Sequence, residues 1–201
     1  MSTANVFTKW IIIRSGFLQS KGNVGNGCVN ILRSLELEYG SKGTRIELEN
    51  WDDDTEHTAE YIYQLSSKEN PPDVAIFAFS WGCGYGFINL ARSLQKRGID
   101  VKYAVLCDPV YYGLAKWRAL IPKTLYSKVY ITVPGNVKEV FWLRQNVSKP
   151  AGHDLRAESP YTCIHEPIIL DVKHTDADNS PQFMALCNEV AAKLMAGPRV
   201  I

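Results

Sequence analysis

The sequence predicts an α/β fold of three layers, with a mostly parallel central sheet flanked by helices. Three observations carry that expectation. Short β-rich runs alternate with longer amphipathic stretches along the chain, as in a βαβ architecture. Two of the runs, residues 73–79 and 101–107, are almost continuously apolar, as strands covered on both faces are. The first of these leads without a break into a serine and a glycine-rich helix start, Ala78-Phe79-Ser80-Trp81-Gly82-Cys83-Gly84. At 201 residues the chain fits one domain, 1–201, with a sizeable core.

Taken in order, residues 9–14 form the first β-rich run, and residues 15–27 are a loop rich in Gly and Asn. Residues 28–39 carry Val29, Leu32, Leu35 and Leu37 at helical spacing, with Gly40 as the stop. Residues 44–49 alternate as a short strand. Asp52, Asp53 and Asp54 stand at the head of a helix over residues 55–65, where carboxylates meet the positive end of the helix dipole. A helix start explains these three better than a metal cluster does. Asn70-Pro71-Pro72 breaks the chain before the strand over residues 73–79. A helix over 82–97 ends at Gly98, and residues 101–107 form the next strand. Residues 108–134 are irregular and aromatic, with a further candidate strand at 128–133. Residues 137–144 and, more briefly, 161–165 are β-rich. Asn179-Ser180-Pro181 opens a last helix, with a capping residue followed by Pro in the first turn, running to about Met195. Parallel strands separated by helices imply right-handed crossovers.

Composition removes several classes of function. Hydrophobic residues are 46% and charged residues 21%, and the formal net charge is +1. With no basic stripe either, no nucleic-acid partner is expected. No apolar run is long enough for a membrane span. The stretch Trp10 to Ile13 meets Arg14 too soon for a signal peptide, so a cytoplasmic location is expected. The five cysteines are odd in number and lack CxxC spacing, which argues against a disulfide framework and a zinc site. They read as small buried hydrophobes, and no metal or cofactor is expected.

The chemistry should sit at Ser80. A serine between a buried strand and a helix, with small residues two before and two after, is the setting of a nucleophile elbow. The serine must take strained dihedrals for its hydroxyl to point out of the sheet. Its small neighbours let strand and helix pack closely. Ala78 and Gly82 meet that need, although Gly is more usual in place of Ala78. The competing reading is a Gly-rich turn in which Ser80 is only a helix cap.

The chain resembles the α/β-hydrolase family of serine esterases and lipases. The resemblance runs from Trp10 to the last helix. It rests on Arg14-Ser15-Gly16-Phe17, Ala78-Phe79-Ser80-Trp81-Gly82 and Lys173-His174-Thr175-Asp176. It implies a nucleophile–acid–histidine order along the chain, with Ser80 as nucleophile. It also implies an oxyanion hole made by the backbone N–H groups of Phe17 and Trp81; Ser15 stands where His is common in that loop. Of the four histidines, His174 fits the family's position between last strand and last helix, and His165 is the runner-up. His57 reads as an exposed helix residue and His153 as a loop residue. The acid is Asp108, after the strand that follows the elbow helix, with Glu139 and Asp154 as candidates one strand later. Tyr111, Tyr112 and Trp117, with Leu114 and Leu120, should pass over the active-site edge. They either form an apolar wall for substrate or pack on the sheet.

The function implied is cleavage of a small-molecule carboxylic ester through an acyl-enzyme. Thioesters, amides and acyl transfer use the same machinery. A hydrolase-fold protein that binds a ligand or partner without catalysis is the alternative. Gly22, Gly25 and Gly27 with Glu47 or Glu49 suggest a dinucleotide site, but the spacing is G-x-x-G-x-G, not G-x-G-x-x-G, and no Walker lysine pattern occurs.

Overall fold

Strand β1 (Lys9–Arg14) is the axis of the sheet, because it is apolar on both faces and pairs on both edges. The structure, a computed structural model, describes residues 7–17, 19, 26–40, 43–67, 70–110 and 130–197. On one side β1 pairs in parallel with β2 (Thr44–Glu49), on the other with β3 (Asp73–Phe79). The sheet continues through β4 (Val101–Cys107) and β6 (Val137–Gln145). Two short strands, β8 (Cys163–Ile164) and β9 (Ile168–Leu170), share the outer edge of β6. All of these pairings are parallel, in the order β2-β1-β3-β4-β6-β8, with β9 also on β6. A small separate sheet pairs β5 (Ile131–Val133) with β7 (Leu155–Ala157).

Four α-helices cover this sheet among the described residues: α1 (Gly27–Tyr39), α2 (Thr55–Gln64), α3 (Ile88–Gln95) and α4 (Pro181–Ala196). Alternate side chains of each strand go to opposite faces, so two cores form. Ile11, Ile13, Ala75 and Phe77 pack with Ile31 and Leu35 of α1 and Phe183 and Val190 of α4. Trp10, Ile12, Val74 and Ile76 pack on the other face with Ile62 of α2 and Leu90 and Leu94 of α3. Each large apolar side chain buried this way contributes roughly 1.5–3 kcal/mol. The architecture is the three-layer one the sequence predicts.

Local capping sets the helix starts. Asn26 accepts from the Cys28 N–H at 2.9 Å, and Asp54 from the N–H groups of Glu56 and His57 at 2.9 and 3.2 Å. Ser180 accepts from Phe183 N–H at 3.3 Å, with Pro181 in the first turn. Some boundaries differ from expectation. The helix predicted over 82–97 opens as a π-helical turn, Gly82–Phe87, and becomes α-helical only at Ile88. The single run expected at 161–165 is the two-residue β8, and β7 and β9 lie where the sequence assigns no element. Strands of two and three residues are too short to show a period of two.

The connectivity fixes where a site can form. From β1 the chain moves one way to β2, and from β2 it crosses back to β3 on the other side. The chain therefore reverses direction between β1 and β3. In open parallel sheets a crevice forms outside the carboxyl ends of two such strands.

Candidate active site

The parallel register brings distant residues to one edge. Phe79 of β3 is level with Cys107 of β4, which is level with Leu143 of β6, which is level with Ile168 of β9. The residues that follow these strands therefore emerge side by side. Ser80 follows β3, Asp108 follows β4, and β6 runs two residues further to Gln145. His174 opens a 3₁₀ turn, His174–Asn179, just after β9.

Ser80 has φ 53°, the left-handed region. For a residue with a Cβ this costs about 1–2 kcal/mol, so the surroundings must hold it. Its N–H donates to Cys107 C=O at 3.0 Å. Its C=O accepts from Cys83, Gly84 and Val110 N–H at 3.1, 3.3 and 3.1 Å. Glycine at 82 is required by close approach: a Cβ there would lie 2.5 Å from the Ser15 carbonyl oxygen and 2.6 Å from that of Arg14. The elbow helix thus rests directly on the backbone leaving β1.

Ser80 Oγ is 2.8 Å from His174 Nε2, and His174 Nδ1 is 2.5 Å from Asp108 Oδ2. The His174 ring also stacks on Phe79, centroids 5.1 Å apart, and its backbone N–H donates to Ser148 Oγ at 2.8 Å. Asp108 is wholly buried and, at φ 42°, is the second non-glycine residue with positive φ among those described. Its Oδ1 accepts from the N–H groups of Gln145 (3.2 Å) and Gly152 (2.9 Å). Its Oδ2 accepts from Gln145 Nε2 at 2.9 Å as well as from His174. Four donors thus converge on its two oxygens, and Asp108 is the acceptor in each contact. Because Asp108 only accepts, His174 must carry its proton on Nδ1, which leaves Nε2 free to accept from Ser80.

Gln145, which the sequence does not mark as a site residue, holds Asp108 from behind. It is fully buried, and its Nε2 also donates to the carbonyls of Ser148 (3.0 Å) and Pro150 (2.8 Å). Its Oε1 accepts from Val147 and Ser148 N–H at 2.9 and 2.8 Å. The amide is therefore fixed in one orientation with its donor toward Asp108. The sequence signal, a Gln ending a β-rich run, is too common to single it out.

Phe17 and Trp81, the expected oxyanion residues, lie together, ring centroids 4.3 Å apart. Gly16 brings their loop against the serine: a Cβ on it would sit 2.7 Å from the Phe79 ring and 3.2 Å from Ser80 Cβ. Trp51 packs edge-on to Phe17, Trp81 and Tyr85, at 6.1, 5.1 and 5.7 Å between centroids. Phe17 is 48% exposed, so this aromatic cluster opens to solvent beside Ser80. Beneath it, buried Arg14 pairs with Glu49 at 2.5 Å, and Thr58 Oγ1 donates to Glu49 at 2.6 Å. Burial pushes the Arg14 pKa down, and Glu49 is the largest influence opposing it.

The other candidates lie in different company. His165 Nε2 is 2.7 Å from Glu139 Oε1, its ring stacked on Phe141 at 4.3 Å, so each of these two meets the other and neither meets Ser80. Asp154 pairs with Arg144. His153 N–H donates to Pro109 C=O at 2.7 Å, and burial lowers its ring pKa. His57 is exposed on α2. Tyr111, Tyr112 and Trp117, with Leu114 and Leu120, fall outside the described residues. Cys28, Cys83, Cys107 and Cys187 are buried, their thiol pKa values raised by desolvation, whereas Cys163 is exposed. Among the described residues no group of three or more His, Cys, Asp or Glu side chains is placed to hold a metal ion, and no helix is long and apolar enough to cross a membrane.

Fold and site together define a three-layer α/β protein with a Ser80–His174–Asp108 hydrogen-bonded chain at the carboxyl edge of its sheet. No family model matches the sequence, and no curated protein does. Among solved structures it is similar to the hyperthermophilic esterase from the archaeon Pyrobaculum calidifontis, at 13% identity and TM-score 0.48, over 95% of this chain and 77% of that one. It is also similar to the monoclinic form of the Pyrobaculum calidifontis esterase, at 12% identity and TM-score 0.44, with the same coverage of each chain.

Proposed function

We propose that the protein is a serine hydrolase that cleaves carboxylic esters through an acyl-enzyme on Ser80. The observation that carries this reading is the continuous chain from Ser80 Oγ to His174 Nε2 (2.8 Å) and from His174 Nδ1 to Asp108 (2.5 Å), built on a serine with positive φ. Ser80 Oγ attacks the carbonyl carbon as its proton passes to His174 Nε2. Asp108 holds the imidazole and stabilises the imidazolium. The N–H groups of Phe17 and Trp81 receive the oxyanion, where one such donor is worth about 10²–10³ in kcat. The imidazolium then gives its proton to the leaving alcohol. Water, deprotonated by the same histidine, releases the acid. With the oxyanion held at Phe17 and Trp81, a substituent of the ester runs over the cluster of Phe17, Trp51, Trp81 and Tyr85. That favours esters with an apolar group on this side.

The test is a fluorophosphonate probe together with Ser80→Ala. The wild type should be labelled at Ser80 and should hydrolyse p-nitrophenyl butyrate. Ser80→Ala should lose labelling and at least ~10³-fold in kcat while keeping its fold, since only a hydroxyl is removed. Equal turnover by the variant refutes the assignment, and a wild type that neither reacts nor turns over leaves the non-catalytic alternative.

A further inference from the structure

The short turn that carries His174 has a second buried acid, which the chemistry above does not use. Asp178 lies at the other end of the His174–Asn179 turn and is fully buried. Its Oδ2 accepts from Gly27 N–H at 2.8 Å, at the start of α1, where a carboxylate also meets the helix dipole. The same oxygen accepts from Gln19 Nε2 at 2.7 Å. The helix and the turn are in direct backbone contact there, since a Cβ on Gly27 would overlap the Asp178 carbonyl.

Gln19 in turn grips the loop after β1. Its Oε1 accepts from Gly16 N–H at 2.9 Å, and its carbonyl accepts from Ser15 Oγ at 2.8 Å. Its own N–H donates to Gly16 C=O at 3.2 Å. The Gly16 C=O and the Phe17 N–H belong to one planar peptide unit, pointing in opposite directions. Fixing that carbonyl fixes the direction of the Phe17 N–H, and fixing the Gly16 N–H removes the adjacent freedom. Asp178 thus bears through Gln19 on the donor next to Ser80, while His174, four residues earlier, bears on Ser80 itself.

We propose that Asp178 and Gln19 are positioning residues that lock the loop bearing the Phe17 N–H to the turn bearing His174. Oxyanion donor and general base are then held by one buried connection. The inference rests on the serine-hydrolase reading and adds the element that sets the oxyanion geometry. A misaimed donor weakens transition-state binding and leaves ground-state binding almost unchanged, so the penalty falls on kcat.

The test measures kcat and KM for p-nitrophenyl butyrate, and the rate of fluorophosphonate labelling, in four variants. Gln19→Ala, at a half-buried position, should lower kcat and the labelling rate about 10- to 100-fold, less than full loss of a donor, with KM within about twofold. Gln19→Glu sets two carboxylates against each other and should be at least as damaging. Asp178→Ala removes the oxygen to which both Gln19 Nε2 and Gly27 N–H donate, and should lower kcat at least as much as Gln19→Ala, again with KM within about twofold. Ser80→Ala in the same assay separates the two readings. If it is inactive while Gln19→Ala keeps kcat within twofold of wild type, the lock is refuted and the hydrolase stands. A loss confined to KM also refutes the lock. An active Ser80→Ala overturns both.

Discussion

Asp108→Asn replaces one buried oxygen by an NH₂ group of nearly the same size, at a position where all four hydrogen bonds point inward. If the NH₂ replaces Oδ1, it meets the N–H groups of Gln145 and Gly152, two donors with no acceptor. If it replaces Oδ2, it meets Gln145 Nε2 and His174 Nδ1. Gln145 cannot flip to answer, because its Oε1 is held by Val147 and Ser148 N–H. His174 would then carry its proton on Nε2, facing Ser80, and could not take the serine proton. Each buried donor without an acceptor costs about 1–3 kcal/mol, so the melting temperature should fall. The larger effect is on catalysis: the same change in a serine-protease triad costs about 10⁴ in kcat, or roughly 5 kcal/mol of barrier. The assay is hydrolysis of p-nitrophenyl butyrate, with circular dichroism melting on the same samples. A folded Asp108→Asn protein within tenfold of wild-type kcat refutes the argument, and Glu139→Gln, measured in parallel, should leave kcat within a few-fold.

Three further outcomes are expected. His174→Ala should be as damaging as Ser80→Ala, because the two act as a unit, whereas His165→Ala and His153→Ala should keep most activity; an active His174→Ala beside an inactive His165→Ala would reverse the assignment. Ser80→Gly should melt higher than Ser80→Ala by a few degrees, since glycine takes the 53° φ without the Cβ strain of roughly 1–2 kcal/mol; equal or lower melting temperatures argue that the elbow stores no strain. Gly152→Ala drives a methyl into Asp108 Oδ1, so it should cost about 1–3 kcal/mol, lower the melting temperature by several degrees and depress kcat; a neutral effect on both would mean the 152 loop yields without moving the acid.

How much of this is legible in the sequence depends on the range of the interaction. Features set within a few residues can be read from residue types alone. Asn26, Asp54 and Ser180 cap their helices because a short polar side chain reaches N–H groups two or three positions on. The buried strand, the small residues and the serine at 74–82 carry their own packing requirement, and Gly82 meets the Ser15 and Arg14 carbonyls where a larger residue could not. The continuous apolar runs of β3 and β4 announce a sheet covered on both faces.

What the sequence alone could not decide is which polar residues meet. Ser80 and His174 are 94 positions apart, Asp108 and Gln145 37, and Gln19 and Asp178 159. Position along the chain favours His174 over His165 and Asp108 over Glu139, but only the folded sheet sets Glu139 against His165 and Asp108 against His174. Arg14 reads as the polar end of an apolar run, yet it is fully buried, because parallel register sets Glu49 of β2 beside it. The physical reason is that a helix cap or a glycine contact is specified by chain geometry over one turn. A buried hydrogen bond between distant segments exists only once the register of six parallel strands has brought their carboxyl ends level, and that register is a property of the whole sheet.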